Sequence, residues 1–231
     1  MKKSIAKFLI VVGVLLVGGE LAPGNAFADS IFDDSTIVLS PTNWHATTSL
    51  NKFSDSSSFQ LYRVEIQLDG YILGDIRVES KDTSSSTVHS SLGGIIDLNW
   101  DGGGNILEAL PVHNETFNAA AYDGIMDFGG TSGITYSSVT GSDNKTSTYT
   151  SSLNDLSIFK GSEKLYFDVW AFANSTANGP GNLSSDFDTK AGAYVKITYF
   201  YNEVPEPGTM ILFGIGLAGL AGICRRKISS K

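Results

Sequence analysis

The chain has 231 residues, a charged fraction of 17% and a formal net charge of −8, long enough for one ordinary domain plus targeting segments. The acidity argues against nucleic acid as a partner, because phosphate binding needs clustered Lys and Arg. The single cysteine, Cys224, lies near the C-terminus, so no intrachain disulfide staples the fold and a packed core must hold it.

Lys2, Lys3 and Lys7 precede an apolar run from Phe8 to Val17, and Ala26-Phe27-Ala28 closes the segment. Charge, apolar stretch and small residues in that order predict a secretory signal peptide over residues 1–28, cut after Ala28, with Ala26 and Ala28 as the small pair read at the cleavage site. The alternative is an uncleaved anchor; Pro23-Gly24 breaks the helix before the Ala-x-Ala site and favours cleavage. Removing residues 1–28 takes away three lysines and one glutamate and leaves −10; removing everything after Pro207 takes away four more cations and leaves −14. Such an acidic body suits plain solubility, divalent cations or uncharged polysaccharide.

From residue 29 to residue 203 the dominant period is two. Tyr62, Val64, Ile66 and Leu68 alternate with Leu61, Arg63, Glu65 and Gln67, Asp69-Gly70 comes next, and Ile72, Ile76 and Val78 share one face of the next run. Two alternating runs joined by Asp-Gly predict a β-hairpin. Leu165, Phe167, Val169 and Ala171 alternate with Tyr166, Asp168, Trp170 and Phe172, and either set serves as a core face. Val195, Ile197 and Tyr199 mark a long strand over Ala193–Tyr201. Shorter strands are expected at Thr36–Leu39, Gly94–Asn99, Gly133–Val139, Thr146–Ser152 and Leu156–Phe159, with Ser, Asn, Gly and Asp clusters as turns between them. The body contains no convincing amphipathic helix. The predicted fold is all-β, an antiparallel β-sandwich of jelly-roll type.

One segment has the spacing of a metal loop. Asp97, Asn99 and Asp101 alternate along the chain, Gly102 comes directly after them, and five further residues lead to Glu108. This fits the D-x-N-x-D-G-x5-E pattern of a calcium site. Asp97, Asn99 and Asp101 would supply side-chain oxygens, Gly103 a carbonyl and Glu108 a bidentate carboxylate. Against this, Gly104 stands where an apolar residue normally ties such a loop down, and Pro111 lies close behind. The rival reading is a Gly-rich hairpin turn with acidic flanks. Catalysis has little support: His45, His89 and His113 are isolated, no G-x-S-x-G elbow occurs, and no catalytic residue is assigned. Trp44, Trp100 and Trp170, with Tyr122 and Tyr136, are candidates for stacking on sugar rings or for ordinary packing.

At the C-terminus, Val204-Pro205-Glu206-Pro207-Gly208-Thr209 leads into an apolar run from Met210 to Cys224, closed by Arg225, Arg226 and Lys227. The run is expected to be a single C-terminal transmembrane helix that holds the chain in the membrane before processing; at about 22 Å it is short against a hydrocarbon core of roughly 30 Å and needs tilt adjustment or bilayer thinning to span it. Its basic cluster keeps that end in the cytoplasm and puts the body on the far side, where the signal peptide also sends it. Gly214, Ala218 and Gly222 form a small-residue stripe, either a docking face for another helix or simple Gly/Ala content.

Residues 204–231 resemble the PEP-CTERM sorting domain: a Pro-Glu-Pro motif, a short apolar helix and a basic tail, in that order. The resemblance implies recognition at Pro205, Glu206 and Pro207 by an exosortase, a membrane-embedded cysteine transpeptidase that cuts near the motif and releases the helix. Arg225, Arg226 and Lys227 are then the membrane stop. Gly208-Thr209 stands where Ala-Thr or Ser-Thr is more usual. The body, through Leu50-Asn51-Lys52-Phe53, Pro180-Gly181-Asn182-Leu183 and the run Ala193–Tyr201, resembles choice-of-anchor E domains, which implies surface display. The expected protein is a non-enzymatic component of the cell surface or extracellular matrix, exported through the general export machinery and, by the resemblance, set among exopolysaccharide or biofilm. The alternatives are a carbohydrate-binding module and a secreted glycan hydrolase.

Overall fold

The computed structural model describes residues 29–54, 58–179, 181–204 and 213–219. The strands are β1 (Asp29–Pro41), β2 (Trp44–Asn51), β3 (Phe59–Ser80), β4 (Ser86–Trp100), β5 (Asn105–Ala109), β6 (Val112–Ala119), β7 (Gly133–Thr150), β8 (Lys164–Ala173), β9 (Thr176–Asn178) and β10 (Leu183–Glu203). One antiparallel sheet has the order β1-β10-β3-β7. The other has the order β2-β8-β4-β5, with β6 and β9 continuing along the free length of β4. Leu110-Pro111 separates β5 from β6, and Asn174-Ser175 separates β8 from β9. Counted as two interrupted strands, these pairs complete two four-stranded sheets, the double-sheet layout of a jelly roll.

The alternation read from the sequence holds where the strands are long. Val64, Ile66, Leu68, Ile72, Ile76 and Val78 of β3 and Val195, Ile197 and Tyr199 of β10 face inward. They meet Leu92, Ile96 and Leu98 of β4 and Phe167, Val169 and Ala171 of β8. Each Val, Leu, Ile or Phe in this set contributes about 1.5–3 kcal/mol when taken fully out of water. In β8 the odd-numbered set is the core face, leaving Tyr166, Trp170 and Phe172 exposed on the outside.

Three expectations need correction. The predicted hairpin at Asp69-Gly70 is absent: β3 runs unbroken through both residues and pairs with β10 and β7 along this stretch. Gly70 is not in the left-handed region; it faces the core, where an added Cβ would lie 2.9 Å from Ile96 Cδ1 and 3.0 Å from Ala109 Cβ. The glycine serves a close approach of the two sheets, a role that looks like a turn signal in sequence. The strand expected at Leu156–Phe159 is instead a single 3-10 turn over Ser157–Phe159, begun by Asp155, whose carboxylate accepts from the Ser157 amide at 2.9 Å. The segments expected at Gly133–Val139 and Thr146–Ser152 fall in one strand, β7, which ends at Thr150 and leaves Ser151 and Ser152 in the turn; its pairing with β3 shifts register near Ser138, at φ 57°.

Tyr199 joins the two sheets. Its ring is buried and its hydroxyl donates to the Asn51 carbonyl at 2.7 Å. Burial, and secondarily the charge of Asp33, push its phenol well above the ordinary tyrosine range. A raised folded-state pKa means that the stabilisation is intact below about pH 10 and is lost as pH climbs through the alkaline range. Tyr199→Phe is therefore expected to cost about 1 kcal/mol at neutral pH, through the lost hydrogen bond, and to fall off less steeply above pH 10. Urea melts at pH 7 and at successive alkaline values check both.

Candidate functional site

β10 lies between β1 and β3 in its sheet, paired on both sides as far as Tyr201 and with β3 alone at Asn202 and Glu203. Tyr201 pairs with Asp29 and Leu61, Glu203 pairs with Phe59, and the Val204 amide donates to the Ser58 carbonyl at 2.8 Å. β1 runs antiparallel to β10, so Asp29, the first residue after the predicted signal-peptide cut, sits beside Tyr201. The Tyr201 hydroxyl donates to the Asp29 carboxylate at 3.1 Å. The segments before Asp29 and after Val204 thus attach at one end of the sandwich.

The segment attached after Val204 decides the reading. Residues 203–227 match the PEP-CTERM protein-sorting motif. The PEP-CTERM motif implies an exported protein that is sorted by an exosortase and held at the membrane in transit before processing. It begins at the last residue of β10, so the sorting segment starts where the fold stops. Pro205, Glu206 and Pro207, the basic residues Arg225, Arg226 and Lys227, and Ala26 and Ala28 of the signal segment lie outside the described residues. Within the predicted apolar run, residues 213–219 are helical, carrying Gly214 and Ala218 of the small-residue stripe, while Gly222 lies outside the described residues. Among the described residues no helix is long and apolar enough to cross a membrane.

Comparison with curated proteins found no match. Among solved structures, the chain is similar to the VP2 subviral particle of infectious bursal disease virus, at 9% identity and a TM-score of 0.18, over 75% of this chain and 38% of that one. It is also similar to the T13 particle of the same virus, at 10% identity and a TM-score of 0.16, over 77% and 41%. The chain spans about two fifths of the length of those proteins, and likenesses this slight say nothing about function.

The segment with calcium-loop spacing forms the β4–β5 hairpin. Asp97 and Asn99 lie in β4, Asp101 and Gly103 lie in the turn, and Glu108 lies in β5 directly across from Asp97. Gly102, Gly103 and Gly104 all take positive φ, which the tight turn requires. The Asn105 side-chain amide donates to Asp97 Oδ1 at 3.4 Å. Partial burial, and then the facing Glu108 charge, raise the Asp97 carboxyl above its ordinary range against that hydrogen bond. Among the described residues, no three His, Cys, Asp or Glu side chains are grouped to hold a metal.

The aromatic candidates separate clearly. Trp44 is half-buried, with its indole N–H donating to the Ala191 carbonyl at 3.2 Å. Trp100 packs on Phe167 and Phe159, with ring centroids 5.3 and 6.0 Å apart. Tyr136 is half-buried, and Tyr122 sits in the loop after β6. Trp170 alone of the three tryptophans stands on an open sheet face. His45 stacks on it at 4.1 Å and also meets Asp168 Oδ1 at 2.8 Å, while Phe172 lies parallel to it at 6.2 Å. The sequence singled out Trp170 but not His45 or Phe172. Their grouping depends on the pairing of β2 with β8, which sets His45 opposite Trp170, and β2 carries only a weak alternating pattern.

Proposed function

We propose that this protein is a non-enzymatic component of the cell surface or extracellular matrix, delivered by the export machinery and finished by an exosortase. The observation that carries this reading is the sorting motif beginning at the final residue of β10, a strand paired with β3 up to that residue. A cut near Pro207 would free the body and leave its core untouched. The resemblance of the body to choice-of-anchor E domains supports surface display. Mass spectrometry of the exported product, with and without a working exosortase in the host, tests it. A start at Asp29 in both hosts, with an end near Pro207 only where the enzyme works, is the expected result; an end at Lys231 in both hosts overturns it.

A second reading, a carbohydrate-binding surface, is favoured by the Trp170 face. A partly exposed indole with His45 stacked on it and Phe172 beside it, and with Asp168 and Asp97 on the neighbouring outward positions, offers an aromatic surface beside hydroxyl-accepting carboxylates. Exopolysaccharide is the ligand this arrangement suits. Trp170→Ala is expected to weaken binding about tenfold, on the scale of one aromatic contact of about 1–1.5 kcal/mol. Affinity electrophoresis through gels holding individual polysaccharides reads the change; equal mobility of the two proteins in every gel argues against this surface.

A further inference from the structure

We propose that the end of the sandwich from which the sorting segment leaves is a membrane-seating face, resting on the phospholipid surface until the chain is cut. The proposal rests on the membrane-transit reading of the sorting motif. The geometry that points to it is the position of several exposed apolar groups. Leu153, 84% exposed, sits in the turn after β7, where the Ser151 amide donates to the Tyr62 carbonyl. Ile158, 50% exposed, lies in the 3-10 turn, which is fastened to the same end through Phe53: the Phe53 amide donates to the Phe159 carbonyl, and the Phe53 ring lies 5.2 Å from that of Tyr201. Phe59 and Val204 flank the chain exit itself and are also exposed.

Charges of both signs accompany these groups, with Asp29, Asp155, Glu163 and Glu203 at the same end. Lys52 and Lys164 line a groove of about 420 Å³ with Ile158, Tyr166, Trp100 and Asp101. Apolar tips beside an aromatic ring, with lysine stems long enough to reach the headgroups, are the combination that seats a protein at a bilayer interface. At the opposite end the exposed Ile125 and Met126 lie in a loop that carries Asp123 and Asp127, and no chain segment leads from there into the apolar run.

Chain length brings the face within reach. Only residues 205–209 separate Val204 from the start of the apolar run at Met210, and six extended Cα steps span at most about 20 Å. A sandwich tethered that closely, by a segment leaving this end, presents this end to the bilayer.

The test uses the full chain with Cys224→Ala, so that an introduced cysteine carries the only fluorophore. Leu153→Cys and Ile158→Cys place the label on the proposed face, and Met126→Cys places it at the far end. Each protein is reconstituted into vesicles of phosphatidylethanolamine and phosphatidylglycerol containing brominated acyl chains, and alkaline carbonate extraction checks insertion. Groups seated at the interface reach about 5–10 Å into the headgroup boundary, so the labels at 153 and 158 should lose about half their fluorescence while the label at 126 stays bright. Inserted protein whose labels at 153 and 158 are as bright as that at 126 overturns the seating face alone. Protein that carbonate extracts completely overturns both this proposal and the membrane-transit reading.

Discussion

A chain carrying Pro205→Ala and Pro207→Ala is expected to accumulate uncut in the membrane fraction of a host with an active exosortase. The two prolines stand in sequence between the end of β10 at Glu203 and the helical residues 213–219. Proline lacks the amide that a helix interior needs and also biases the residue before it toward extended backbone. Both effects favour an extended Glu206, open to an enzyme. Alanine reverses the preference by about 3 kcal/mol at each position, so a helix could grow back toward Val204 and withdraw Glu206 into its first turns. Processing should fall at least about tenfold, since a single such preference exceeds the 1.4 kcal/mol that a factor of ten requires. Glu206→Gln, which keeps the backbone preference, separates recognition of the carboxylate from presentation of the segment. The mass of the membrane-bound product, tracked over time, reports both. Prompt release of the double-alanine chain at the wild-type rate would show that extended backbone is not what the enzyme reads.

Much of this was legible in the sequence because the relevant signals are local. Pro-Glu-Pro, the apolar run and the basic triad are adjacent in the chain, and their meaning does not depend on the fold. The even-numbered apolar positions of β3 and the odd-numbered ones of β8 mark their strands for the same reason: period two is a property of one strand. The core face of β8 was open to either choice, since Leu165, Phe167, Val169 and Ala171 are matched in apolarity by Tyr166, Trp170 and Phe172. Packing against β3 and β10 makes the choice. β6, by contrast, left no apolar pattern to read: His113, Glu115 and Phe117 share one side of Val112–Ala119, and the strand is held by its ladder to β4. The attachment of both terminal segments at one end, and the convergence of Leu153, Ile158 and Lys52 there, rest on pairings between residues far apart in sequence. No local pattern reports them.

Gly70 is the position where a local signal and the tertiary structure disagree, and a double-mutant cycle measures which is right. Apolar residues at 64, 66, 68, 72, 76 and 78 keep one parity through Asp69-Gly70, which already favours one continuous strand over two strands reversing at a turn. Gly70→Val adds three carbons where Ile96 and Ala109 leave room for none. Overpacking of this kind costs about 1–3 kcal/mol, and the gain in strand preference returns at most about 1 kcal/mol. A net loss of roughly 1–2 kcal/mol is expected in chemical denaturation. Destabilisation alone does not separate the two structures, because valine is also strained in a turn that needs positive φ. Ile96→Ala does, since it removes the Cδ1 that the new side chain strikes. In the two-sheet packing, Gly70→Val should be partly relieved in the Ile96→Ala background, with a coupling of roughly 0.5–3 kcal/mol as for residues in direct contact. Additive losses would mean that position 70 does not face position 96, and the unbroken path of β3 across the sandwich would have to be abandoned.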